Sequence, residues 1–229
     1  MSIFAIADLH LSLSADKPMD VFKGWDNYVE RLTENWKKII TDCDTVVLAG
    51  DLSWALKLEE TAADFAYINS LPGKKLILKG NHDLWWSTVS KMKKFFDANG
   101  FDTIDIIHNN AFAAGGFALC GSRGWFFDEG EANAKILARE AGRLDTSIKA
   151  AKEAGGEPIV FLHYPPVFAG RVCTEIFDVI KNHDIKRVYY GHIHGIAART
   201  AVDETFEGVE LKLISCDRLS FVPLLIEKT

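Results

Sequence analysis

Five short apolar runs in this chain end in the same way. SIFAIA runs into Asp8, VVLAG into Asp51, LILKG into Asn81 and His82, PIVFL into His163, and RVYYG into His192. A continuous apolar run of this length reads as a strand buried on both faces. Between the first three runs lie segments with helical spacing. Trp25, Tyr28, Val29, Leu32, Trp36, Ile39 and Ile40 mark one; Ala62, Phe65, Ala66, Ile68 and Asn69 mark another, stopped by Pro72-Gly73. Val89, Met92, Phe95 and Phe96 mark a third, stopped near Gly100. The first hundred residues therefore read β-α-β-α-β-α, which implies a mainly parallel sheet with helices outside it.

The pattern then changes. TIDIIH, NAFAA and FALCGS read as short strands of a meander, joined at Asn109-Asn110 and Gly115-Gly116. A long helix is expected from about residue 132 to 154, and a shorter one near Glu175 to Asn182. VELKLISC and FVPLLIEK read as closing strands. No repeat, linker or low-complexity segment interrupts the 229 residues, so a single domain over 1–229 with no large cap domain is expected.

Composition removes several classes of function. A formal net charge of −6 argues against binding of long nucleic acid, which needs a basic face. No run of 18 apolar residues exists, so no membrane span is expected. The N-terminal MSIFAIADLH lacks the basic start of a signal peptide. Cys43, Cys120, Cys173 and Cys216 form no C-x-x-C pair and read as reduced thiols of a cytoplasmic protein.

In an open α/β sheet, ligands gather at the carboxyl ends of the strands. Five of the seven histidines sit there, together with Asp8, Asp51 and Asn81. Nitrogen and oxygen donors without a thiolate suit Mn, Fe, Zn or Mg better than a structural zinc site. Each piece alone has a plainer reading: Gly-Asp and Gly-Asn favour turns, and a lone histidine is often a core residue. Their ordered recurrence at successive strand ends points to a metal site.

Asp8-x-His10, Gly50-Asp51, Gly80-Asn81-His82-Asp83, His163 and Gly191-His192-x-His194 together resemble the calcineurin-like metallophosphoesterase superfamily. The motifs span residues 8 to 194 in the family's order. The resemblance implies a four-layer α/β/β/α sandwich with mixed sheets and two divalent metal ions. It places Asp8, His10 and His194 on one ion, Asn81, His163 and His192 on the other, and Asp51 between them. It implies hydrolysis of a small phosphoester, a phosphodiester or phosphomonoester, by a metal-bridging hydroxide. A catalytically inactive binding or scaffold module is the alternative; such a relic is expected to lose His82 or several ligands, and all are present here. The chain departs from many members at Trp54, which stands where they carry an acidic residue or asparagine three places after the Gly-Asp aspartate.

His82, next to a ligand but not one itself, is placed to protonate the leaving group. Asp83 either orients His82 or caps the helix that carries Val89 and Met92. Arg123, in GSRGW, either clamps a phosphate oxygen as a substrate-binding residue or is a solvated or salt-bridged arginine. Trp54, Trp85, Trp86 and Trp125 follow site segments and pack either in the core or along the site. The acidic run at 128–131 reads as a solvated loop and helix start that partly covers the site.

Overall fold

The computed structural model describes residues 1–125 and 134–228. Its strands and helices follow the apolar runs. The first half contains β1 (Ser2–Ile6), α1 (Tyr28–Ile39), β2 (Thr45–Leu48), α2 (Ala62–Ser70), β3 (Lys74–Ile77), α3 (Val89–Asn99) and β4 (Ile104–Ile106). The second half contains β5 (Ala111–Ala114), β6 (Phe117–Ser122), α4 (Ala134–Glu153), β7 (Glu157–Leu162), β8 (Val167–Phe168), β9 (Arg171–Val172) and α5 (Thr174–Asn182). It ends with β10 (Arg187–Tyr190), β11 (Thr205–Phe206), β12 (Val209–Leu213) and β13 (Leu224–Lys228). The acidic run at 128–131 lies outside the described residues.

Two mixed sheets result. One has the order β13-β1-β2-β3-β4, parallel except for β13 at its edge. The other has the order β11-β12-β10-β7-β6-β5, parallel in the middle with antiparallel strands at both edges. Because side chains alternate along a strand, an apolar run has two buried faces to fill. In the first sheet, Phe4, Ile6, Val46, Leu48 and Ile77 pack with Leu32, Trp36, Phe65, Met92 and Phe96 of the helices. Their neighbours Ile3, Ala5, Val47 and Leu76 pack with Leu119, Ile159, Phe161 and Tyr189 of the second sheet. The second sheet turns Cys120, Val160, Leu162, Val188 and Leu211 toward Leu144 and Ile148 of α4 and Ile176 and Ile180 of α5. Three apolar layers thus separate four layers of structure, α/β/β/α, as the resemblance implied.

One sequence expectation is corrected. The three short strands after residue 103 are not one meander: β4 pairs in parallel with β3 in the first sheet, and only β5 and β6 form an antiparallel hairpin, in the second. Asn109-Asn110 is the passage between sheets. The Asn110 side chain closes it, with Oδ1 accepting from His108 N at 2.7 Å and Nδ2 donating to Ile106 O at 3.1 Å.

The ends of α3 are set locally. The Thr88 hydroxyl accepts from Lys91 N at the start, and Gly100 takes the left-handed conformation at the finish. No helix among the described residues is long and apolar enough to cross a membrane.

Candidate metal centre

The strand ends converge because their loops keep pairing after the strands stop. Asp8 N donates to Gly50 O, His10 N to Asp51 O and Leu11 N to Leu52 O, each at 2.9 Å. Asp8, His10, Asp51 and His192 all hold positive φ values, 62°, 46°, 52° and 72°. A left-handed non-glycine residue costs on the order of 1–3 kcal/mol and persists only where its surroundings enforce it. Here the strain falls on four of the residues expected to bind metal. The glycines of the motifs leave room for the carboxylates. A Cβ on Gly80 would lie 2.1 Å from Asp51 Oδ1, and one on Gly191 would lie 2.6 Å from Asp8 Oδ2.

Two groups of donors form. Asp8, His10 and His194 bring one ligand atom each to within 4.8 Å of one another, and so do Asp51, His163 and His192. Asn81 Oδ1 joins the second group, 2.6 Å from His163 Nε2 and 2.9 Å from His192 Nδ1. Asp51 Oδ2 faces both groups, 3.4 Å from His163 Nε2 and 3.9 Å from His10 Nε2. The donor chemistry fits cations. His163 Nδ1 lies 3.1 Å from the Ala49 carbonyl, to which it donates, leaving Nε2 for the site. Buried and without a hydrogen-bond partner are His10 Nδ1 and His194 Nε2, the latter 3.6 Å from Asp8 Oδ1. Carboxylate and amide oxygens and imidazole nitrogens that converge this closely suit a cation.

Electrostatics point the same way. Burial would raise Asp8 and Asp51, but the His194 imidazole beside the first and His163 beside the second hold both below the usual carboxylate range. Burial would lower His163 and His194, yet Asp51 holds the former up to about 9 and Asp8 the latter up to about 10. His10, with burial outweighing Asp51, falls to about 4. The raised His163 and His194 and the lowered Asp8 and Asp51 show opposite charges favouring one another across the site, a role that a divalent ion would fill by displacing protons.

His82 stands outside both groups. Its backbone N donates to Asp51 Oδ1 at 2.7 Å, and its exposed ring lies 4.6 Å from the Trp54 ring and 5.7 Å from that of His10. Asp83 requires a correction. It neither hydrogen-bonds the His82 ring nor caps α3, which Thr88 does. Fully buried, it accepts from Gly80 N at 2.7 Å, Leu52 N at 2.8 Å, Asp51 N at 2.9 Å and Trp85 Nε1 at 3.0 Å. It ties the Gly-Asp loop to the Gly-Asn-His loop and is a positioning residue. Burial, and next the charge of Asp51, push its carboxyl up to about 6.

The tryptophans divide. Trp54 stacks on His10 at 4.8 Å, and Trp25 lies 6.0 Å from that ring and 5.9 Å from His194. Trp85 packs in the core on Phe65, and Trp86 packs on Trp85. Trp125 packs on Tyr164, which packs on His192 at 4.3 Å. Arg123 belongs to neither donor group. Its guanidinium lies 3.5 Å from Glu140 and 4.7 Å from the Trp125 ring, and its carbonyl accepts from His163 N and Tyr164 N.

One residue escaped the sequence reading. Asp217 Oδ1 lies 2.8 Å from His194 Nδ1, and its Oδ2 accepts from Gly195 N at 2.9 Å. This carboxylate fixes the tautomer and aim of His194, as outer partners of metal-ligating histidines do. Asp217→Asn is expected to weaken metal affinity or turnover by about 10–100-fold while leaving the fold intact. Titration of the variant with metal in a chelator-buffered solution checks this; unchanged affinity and turnover would return Asp217 to a surface role.

Comparison with known proteins bears on this geometry. A family model described as calcineurin-like phosphoesterase matches residues 1–195. No curated protein matches the sequence. Among solved structures, a protein from Thermus thermophilus is similar at 17% identity and a TM-score of 0.57, over 84% of this chain and 81% of its own. A phosphopantetheinyl hydrolase from Mycobacterium tuberculosis is similar at 12% identity and a TM-score of 0.55, over 100% of this chain and 96% of its own. A protein of unknown function from Aquifex aeolicus is similar at 16% identity and a TM-score of 0.52, over 98% and 95%. At these identities the likeness is one of fold.

Proposed function

The chain belongs to the calcineurin-like phosphoesterase family, and on that premise we propose that it hydrolyses a small phosphoric ester with two divalent ions, Mn, Fe, Zn or Mg. The family and the two donor groups fit a metal-dependent phosphoester hydrolase. The observation that carries the dinuclear reading is Asp51 Oδ2, which faces a nitrogen of each group. Two ions held by these residues would supply positive charge for a phosphoryl oxygen and would lower the pKa of a bound water.

The remaining steps fall to side chains. Asn81 brings an oxygen without a charge and keeps the centre more positive than a carboxylate would. His82 is our candidate for the proton that a leaving alkoxide needs. The residue is solvent-exposed and its ring lies 4.6 Å from that of Trp54, which suits transfer to a departing group. Trp25 and Trp54 wall the His10 side and limit water there. The net charge of −6 supports a small substrate over long nucleic acid. Cys120, Cys173 and Cys216 are buried thiols, which supports a reducing, cytoplasmic setting.

The test is turnover of nitrophenyl phosphate and bis-nitrophenyl phosphate by protein of defined metal content. Hydrolysis of at least one ester, lost on chelation and restored by metal, is expected. Tight metal binding with no turnover of any mono- or diester would favour the scaffold alternative.

A further inference from the structure

We propose that a basic cavity beside the metal centre holds a second phosphoryl group of the substrate. The cavity, about 240 Å³, is lined by Lys79, His108, Arg123, Glu140 and Arg143, among others. It lies between the ends of β3 and β6 and the face of α4. Two backbone links tie it to the centre: Lys79 is two residues before Asn81, and the Arg123 carbonyl accepts from His163 N at 3.1 Å. The inference rests on the hydrolase reading above.

Charge balance is the first argument. Lys79, Arg123 and Arg143 bring three cations against one carboxylate, Glu140, whose side chain is 1% exposed. Glu140 Oε1 serves both guanidinium groups, at 2.8 Å from Arg143 and 3.5 Å from Arg123. It thereby fixes the two forks, and among the described residues neither guanidinium makes another ion pair. Lys79 is half-buried and makes no hydrogen bond or ion pair among the described residues. Partly buried like charges without an offsetting anion are unfavourable.

Unmet hydrogen bonding is the second argument. Among the described residues Arg123 Nε and Glu140 Oε2 are buried without a partner, and the half-buried His108 ring makes no hydrogen bond. A phosphoryl dianion answers the Arg123 and His108 donors. Its charge matches the surplus of two, and its oxygens accept from guanidinium forks and an ammonium at once. A carboxylate would leave one charge unmatched. With the first phosphoryl group at the metals, a substrate carrying a second one spans the centre and the cavity. The other reading, an ion-pair network that merely docks α4 on β6, predicts no anion affinity.

The full chain, stripped of metal and checked for retained near-ultraviolet circular dichroism, is titrated calorimetrically with inorganic phosphate. Binding is expected, weakened about tenfold or more by Lys79→Met and by Arg143→Met. In parallel, kcat/KM of the metal-loaded chain is measured on the 4-nitrophenyl ester of thymidine 5′-phosphate, with and without a 3′-phosphate. The wild type is expected to favour the 3′-phosphorylated ester, and Lys79→Met to reduce that preference about tenfold. Phosphate affinity equal in wild type and Lys79→Met overturns the site. Affinity lost with the preference unchanged means that the cavity takes free phosphate, which overturns the substrate assignment. Lys79-dependent phosphate binding with no hydrolysis of either ester upholds the anion site and overturns the hydrolase reading instead.

Discussion

Asp51→Asn is expected to retain its fold, lose most of its bound metal and turn over at least about a hundredfold more slowly. Disturbing an outer partner of a metal ligand already costs about 10–100-fold, and on the two-ion reading Asp51 would be a ligand itself. Its two oxygens do different work. Oδ1 accepts from His82 N at 2.7 Å and holds the Gly-Asn-His loop. Oδ2 faces His163 Nε2 and His10 Nε2, one from each donor group. An amide can keep the first contact but removes the negative charge between two cations. With Oδ1 retained, it also turns an NH₂ donor toward the metals. Elemental analysis and turnover of the purified variant check both consequences. Two bound ions with wild-type turnover would reject Asp51 as the shared ligand.

His82→Ala is expected to separate chemistry from metal binding. Metal content stays near wild type, because His82 belongs to neither donor group and its structural hydrogen bond is made by the backbone. kcat falls by about 10²–10⁴, the range for one acid–base group. The loss shrinks for esters with good leaving groups, which depart without a proton. Comparing nitrophenyl with alkyl esters reads this directly. A variant that loses an ion as well would make His82 a ligand.

The strand ends were legible because chemistry and folding leave marks at the same places there. A strand buried on both faces must be a continuous apolar run, so an Asp, Asn or His where it stops stands out. The glycines beside them were legible as turn residues, but their reason was not. Gly80 and Gly191 are demanded by carboxylates that approach from loops far along the chain. Asp83 was legible as important and misread in role. Besides Gly80 N and Trp85 Nε1 nearby, its partners are backbone N–H groups of residues 51 and 52, and nothing local reveals those two. Asp217 carried the same signal as the ligands, since it follows the apolar run of β12 and LISC. It lacked the neighbouring histidine or glycine that drew attention elsewhere. The assignment of β4 failed for a related reason: a turn dipeptide between two short strands does not say whether they share a sheet. Arg123 was read without its partner, because Glu140 lies a helix away.

The centre we propose holds two ions that work together. The most direct measurement is a titration of the metal-free chain with Mn²⁺, with bound metal and ester hydrolysis followed in the same samples. Two ions per chain are expected, with turnover rising only as the second site fills. A single ion at saturation, or hydrolysis that survives complete removal of metal, would contradict it.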